Sequence, residues 1–253
     1  MRPLGGLVLL LFVDHDRCLP GLDALGGFFV LRTTVPSRSA VPTLARAYAE
    51  PGAPDEKGEC DDPITFRIHQ VATALRTPEP RVAVSIAQQG LAARLWSIAL
   101  GAAVLHDAVP DLDPRLLHWD PAASAPDDLW LPEVRLLPTT ALDDVVRARH
   151  LVPLNTALHT RYGISRRLLW GNAGSALAAT VRQLERWAGA HGRPDAAARA
   201  RALATDLFTH PDLAETLDPV TLRRRSCCLY YRVPGGGLCG DCCFDRAPGA
   251  GGS

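Results

Sequence analysis

Residues 81–105, RVAVSIAQQGLAARLWSIALGAAVL, are long enough for roughly seven helical turns. The large apolar residues Val84, Ile86, Leu91, Leu95, Ile98 and Leu100 fall on most faces of such a helix, not along one stripe. A helix that is apolar all round belongs in the middle of a bundle, so this segment predicts a mainly helical chain organised around residues 81–105. Upstream, Ile64, Ile68, Val71, Ala72 and Leu75 recur at helical spacing over 63–75, and residues 41–50 suggest a short helix. Downstream, Thr139 or Thr140 is placed to cap a helix from Ala141 towards His159, with Asp143 and Asp144 in its first turn. Ser165 is placed to cap another that runs to about Ala190. His191-Gly192-Arg193-Pro194 ends it, and residues 195–208 form one more.

Strand signals are few. Phe28–Val35 (FFVLRTTV) is rich in aromatic and β-branched residues and stops at Pro36. Leu129–Leu137 (LWLPEVRLL) reads as an edge strand broken by Pro132, after a long Asp/Pro loop at 107–128. The expected fold class is therefore mainly α with a few short strands (α+β). Helical periodicity stops near residues 213–222, where cysteine and glycine take over. This predicts a helical domain over residues 1–215 and a small cysteine-rich domain over 216–253.

Composition narrows the function. The 253 residues are 47% hydrophobic with a formal net charge of zero, which disfavours nucleic acid or an anionic membrane as a partner held by bulk charge. The apolar run at 4–13 (LGGLVLLLFV) is shorter than the roughly 20 residues a membrane span needs. No small-x-small cleavage site follows it, so the expected location is the cytoplasm, with peripheral membrane association left open. The histidines show no H-E-x-x-H spacing, and neither a G-x-S-x-G elbow nor a dinucleotide-binding glycine fingerprint is present. No catalytic group beyond a bound redox centre is expected, and electrons must come from a partner.

Seven cysteines are an odd number, and five of them crowd into residues 227–243. A secreted disulfide framework normally shows an even count spread along a small chain, so the crowding points to metal. The tail reads RRRSCCLYYRVPGGGLCGDCCFD over 223–245, with Cys227 and Cys228, ten residues, then Cys239 and Cys242. Pro234 and Gly235–Gly237 supply a reversal that brings the two pairs together. Four thiolates suit either an iron–sulfur cluster or tetrahedral zinc. Adjacent cysteines chelate one small ion awkwardly and a two-iron cluster more easily, but spacing alone leaves both open. Cys243 is a fifth thiol, and only Cys242 keeps the x₂ spacing. Cys18 and Cys60 read as packing or loop residues.

The pattern C-C-x₁₀-C-x₂-C resembles the C-terminal iron–sulfur segment of FhuF-like ferric-siderophore reductases, position for position at Cys227, Cys228, Cys239 and Cys242. Residues 82–97 (VAVSIAQQGLAARLWS) and 165–178 (SRRLLWGNAGSALA) are similar to blocks of the same family, whereas Cys243 departs from its usual apolar residue. The resemblance implies a 2Fe-2S cluster on those four cysteines as both cofactor and metal site. It also implies one-electron reduction of Fe³⁺ held by a siderophore, a hydroxamate type being expected, and a ferredoxin or flavoprotein as donor. Substrate contacts are expected from Trp170, Asn172, Arg166 and Arg167, with Gln88, Gln89, Arg94 and Trp96 weaker candidates. An iron–sulfur carrier or sensor, or a zinc-stabilised binding module, is the competing expectation.

Overall fold

The computed structural model describes residues 19–35, 41–49 and 62–248. The apolar run at 4–13, Cys18 and Cys60 lie outside them. Helix α1 (Leu44–Tyr48) is followed by α2 (Pro63–Ala74), whose first turn is capped by the Asp62 carboxylate accepting from Thr65 N–H. Helix α3 (Pro80–His106) is the long central element expected from 81–105, with Val82, Leu95, Trp96, Ile98 and Leu100 fully buried. Each such side chain contributes about 1.5–3 kcal/mol, enough to hold the bundle around this helix. It packs against α2, α4 (Val152–Tyr162), α5 (Arg166–Ala190) and α6 (Pro194–Leu207), and α5 also supports the single turn α7 (Pro211–Ala214).

The α+β expectation holds. Among the described residues four short strands, β1 (Ala108–Pro110), β2 (His118–Trp119), β3 (Leu129–Trp130) and β4 (Leu136–Pro138), make two antiparallel pairs, β1 with β4 and β2 with β3. Three expectations need correcting. The 107–128 segment contains strands as well as loop. The 129–137 run splits around Pro132 into strands of two different sheets. The strand expected at 28–35 is a 3₁₀ turn, Gly27–Phe29, and only Arg32 pairs there, with Trp130. The cause is tertiary: Arg94 from α3 draws the Gly27, Phe28 and Val30 carbonyls around its guanidinium, which curls the backbone out of an extended path.

The helix expected over 141–159 is also modified. A 3₁₀ turn (Thr139–Ala141) leads into a π-helical stretch, Asp144–Leu151, before α4. Pro153 cannot donate to the preceding turn and its ring crowds the carbonyl four residues back, and a widened turn absorbs both defects. This wide turn buries His150, whose Nδ1 meets Tyr48 Oη at 2.7 Å and whose Nε2 lies 2.5 Å from the Leu112 carbonyl. Burial depresses the His150 pKa to about 4, against a hydrogen bond to Leu112 that pulls it up; nearby Arg149 lowers it and Asp113 raises it. A histidine held neutral below its unfolded value of about 6.5 contributes stability that is present above that value and lost as pH falls towards 4. Denaturant unfolding of wild type and H150Q is expected to diverge in pH dependence between about 6.5 and 4, with wild type losing about 3 kcal/mol more.

Candidate metal centre

Beyond Leu217 the backbone forms one short 3₁₀ turn among the described residues, Tyr230–Arg232, and folds onto α3 and α5. Leu217 bridges to Arg224, Arg225 N–H donates to the Thr216 carbonyl, and Ser226 Oγ donates to the Arg167 carbonyl. The WGNAG stretch of α5 makes this docking close. A methyl group at Gly171 would stand 2.0 Å from Ser226 Oγ, and one at Gly174 2.8 Å from Thr216 Cβ. Glycine at both positions lets the residues leading into the first cysteine pair lie directly on the helix.

The two cysteine pairs are joined by the reversal expected from Pro234 and the glycines. Gly236 N–H donates to the Val233 carbonyl at 2.7 Å, and Gly235 between them has φ +71°, a type II turn with Pro234 at its first corner. Cys228 and Cys239 Sγ come within 3.5 Å. Two sulfurs bound tetrahedrally to one metal at about 2.3 Å would stand about 3.8 Å apart, so these two already have the spacing of a shared ion. Cys227 lies against Cys243, with Cys242 near both. Cys228 and Cys242 are buried; Cys227, Cys239 and Cys243 are half-buried. The thiols thus gather as one close pair, Cys228 and Cys239, and a looser group of Cys227, Cys242 and Cys243, and among the described residues no group of three or more His, Cys, Asp or Glu side chains converges on a single point.

Backbone donors face the sulfurs. Leu229 N–H donates to Cys227 Sγ at 3.2 Å, which requires φ +68° at Leu229, and Phe244 N–H donates to Cys242 Sγ at 3.4 Å. The Cys228 thiol is pulled down to about 6 by its contact with Cys239, with smaller help from Tyr230 N–H and Arg224 against burial. Cys239 is pushed up, because the proton between the two sulfurs stays on it. Burial raises Cys243 to about 11. A thiolate ready on one member of a close pair is what a metal ion needs as its first ligand.

Behind the cysteines lies a buried polar network. Ser85 Oγ of α3 donates to the Cys228 carbonyl at 2.7 Å, and Asn172 Nδ2 of α5 donates to both Ser85 O and Ser85 Oγ at 3.0 Å. Arg224 Nη1 donates to Asn172 Oδ1 at 2.6 Å, its Nε to Asp241 Oδ1 at 3.0 Å and its backbone N–H to the Asp241 carbonyl at 2.9 Å. Ser175 Oγ donates to the other Asp241 oxygen. Burial would raise the Asp241 pKa, but Arg224 and Ser175 outweigh it and hold the carboxyl below its ordinary value. Arg224 precedes one cysteine pair and Asp241 sits inside the other, so their buried ion pair ties both arms to α5.

The segment that makes all these contacts, residues 224–244, matches the family model described as the FhuF 2Fe-2S C-terminal domain. Over that segment the chain is similar to the FhuF 2Fe-2S family. Neither a curated protein nor a solved structure matches the chain.

The family's description implies an anionic two-iron group. The paired thiols, the N–H groups aimed at Cys227 and Cys242 sulfur, and a buried guanidinium nitrogen, Arg224 Nη2, with no partner among the described residues all suit it. The upstream candidates separate. Asn172 is completely buried, with its amide committed to Ser85 and Arg224. Arg167 and the half-buried Trp170 line a hollow of about 340 Å³ with Arg225, Ser226, Asp212 and Glu215, while Arg166 is exposed elsewhere on the same helix turn. Gln88 is buried against Asn155 and the Leu169 carbonyl, and Trp96 is core. Sequence reasoning missed a second hollow of about 360 Å³ against the FhuF-type segment, formed by Phe28, Ile86, Gln89, Gly90, Ala93 and Tyr230 with Cys228 and Cys239. The signal for it in the sequence was Gln89, a weaker candidate there, next to Gly90 in a largely apolar helix.

Proposed function

We propose that this chain is a ferric-siderophore reductase that carries a 2Fe-2S cluster on Cys227, Cys228, Cys239 and Cys242. The observation that carries the reading is the hollow whose wall includes Cys228 and Cys239: a chelate seated there is separated from the ligand sulfurs by no intervening element. A cluster so held supplies one electron at a time, the number that converts Fe³⁺ to Fe²⁺. Hard oxygen ligands hold Fe²⁺ far more weakly, so the chelate loosens without a proton shuttle or a nucleophile. Phe28, Ile86, Ala93 and Tyr230 provide apolar walls for the chelate, and Gln89 provides an amide for its oxygens. Asn172 supports the cysteine segment instead of meeting the chelate. Trp170, Arg167 and Arg166 are assigned to the neighbouring α5 surface. The electron arrives from a separate donor, a ferredoxin or flavoprotein. Gathering of the thiols at two places instead of one favours the two-iron group over a single zinc ion, and the hollow favours a reductase over a carrier or sensor.

Protein purified without oxygen, reduced and titrated with a ferric hydroxamate should lose its reduced-cluster resonance, with Fe²⁺ trapped by a ferrous chelator in equal amount. A reduced cluster indifferent to every ferric chelate would leave a carrier or sensor, and a colourless zinc protein would end the reading altogether. Gly90→Leu tests the hollow itself. A Cβ atom added at Gly90 meets no atom within 4 Å, and replacing a mid-helix glycine favours the helix by about 0.5–1 kcal/mol. The variant should therefore fold with a full cluster yet be reoxidised by ferric hydroxamate about tenfold or more slowly. A wild-type rate in stopped flow would remove the hollow from the mechanism.

A further inference from the structure

Arg224 is unusual among the arginines of this chain. Its side chain is fully buried, and Nη2 alone has no partner, whereas Nε and Nη1 are held by Asp241 and Asn172. An unpaired buried donor costs about 1–3 kcal/mol, more when charged, so a fold that keeps one demands an explanation. Its bonded partners place the guanidinium behind the sulfurs: Asp241 lies between Cys239 and Cys242 in the chain, and Asn172 connects through Ser85 to the Cys228 carbonyl. Neighbouring arginines are spent differently. Arg223 binds the Cys242 carbonyl and Asp245, Arg232 binds Glu79, and Arg225 is exposed.

We propose that Arg224 is the positioning residue that sets the cluster's redox balance, with Nη2 as a hydrogen-bond donor reserved for sulfur on the Cys228–Cys239 side. The inference rests on the 2Fe-2S reading of the tail. The network fixes where that donor points: Asp241 and Asn172 grip two edges of the planar guanidinium, Ser175 and Ser85 grip those residues, and α3 and α5 carry Ser85, Asn172 and Ser175. A donor and a positive charge beside the sulfurs stabilise the reduced, more negative state, so Arg224 raises the potential. Asn172 and Asp241 thereby acquire a role that needs no contact with chelate. Lysine in place of Arg224 would keep a charge but not the planar fork that reaches Asn172, Asp241 and sulfur together.

The test is potentiometric titration of wild type, R224K and R224Q, followed by electron paramagnetic resonance, with iron and sulfide measured in each. Iron-free wild type would overturn the cluster reading and this inference together. In loaded variants the oxidised-to-reduced ratio at a fixed potential is expected to rise at least tenfold, a midpoint lowered by about 59 mV for one electron, and more in R224Q than in R224K. Loaded variants with the wild-type midpoint would overturn the role of Arg224 alone. Should neither variant fold, wild type carrying nitrogen-15 in its arginine guanidinium groups decides the matter. Pulsed resonance of the reduced cluster should show a nitrogen-15 coupling, and its absence would refute the donor.

Discussion

Cys228→Ser and Cys239→Ser are each expected to abolish the red-brown absorption and most of the bound iron, while Cys243→Ser keeps both. The 3.5 Å sulfur pair is the most tightly organised part of the site, and an alkoxide is a poor substitute for thiolate on iron. Removing Cys239 takes away the contact that pulls the buried Cys228 thiol down, and removing Cys228 leaves Cys239 alone in a half-buried setting. Cys242 and Cys243 form the more instructive comparison. Cys242 is buried and receives the Phe244 N–H, whereas the Cys243 thiol rests on Cys227 with its ionisation suppressed by burial. Cys242→Ser should therefore lose the cluster and Cys243→Ser should retain it. Anaerobic spectra with iron and sulfide analysis measure this directly. Equal loss in both would mean that the two adjacent thiols share the ligand role, and loss in Cys243→Ser alone would transfer it to Cys243.

Arg94→Met is expected to cost about 3–5 kcal/mol of stability, the largest effect of any single change outside the cysteines. Arg94 and Asp128 have side chains only 3% and 7% exposed, and they are joined at 2.8 and 2.9 Å. Methionine would leave the Asp128 carboxylate buried without its cation, and the carbonyls of Gly27, Phe28 and Val30 without their donor. The consequence extends to function, because Phe28 is a wall of the hollow beside Cys228 and Cys239. Urea unfolding should show a midpoint lowered with little change in slope. Arg94→Met combined with Asp128→Leu, which removes both charges, should recover much of the loss. A single variant within 1 kcal/mol of wild type would mean that the pair is not the anchor of this strap.

Among the described residues no helix is long and apolar enough to cross a membrane.

Local chemistry was sufficient to specify much of this protein. Helical spacing set α2, α3, α5 and α6 to within a residue or two, because each has a continuous apolar pattern bounded by Pro, Gly or a capping side chain. The spacing of Cys227, Cys228, Cys239 and Cys242 and the Pro234–Gly235 turn are likewise properties of one short segment, needing no distant partner. What depended on tertiary structure involves residues far apart in the chain. The 28–35 segment has strand propensity, but three of its carbonyl neighbours are claimed by Arg94, more than sixty residues on. Asn172 looked like a ligand-binding side chain, and packing turned it inward to hold Arg224 across a separation of 52 residues. The hollow beside the cysteines joins Phe28, α3 and Tyr230, whose proximity is decided only when the tail docks on the bundle. Periodicity and spacing report on bonds made within a few residues, whereas the destination of a buried charge is set by whichever acceptors the completed fold brings to it.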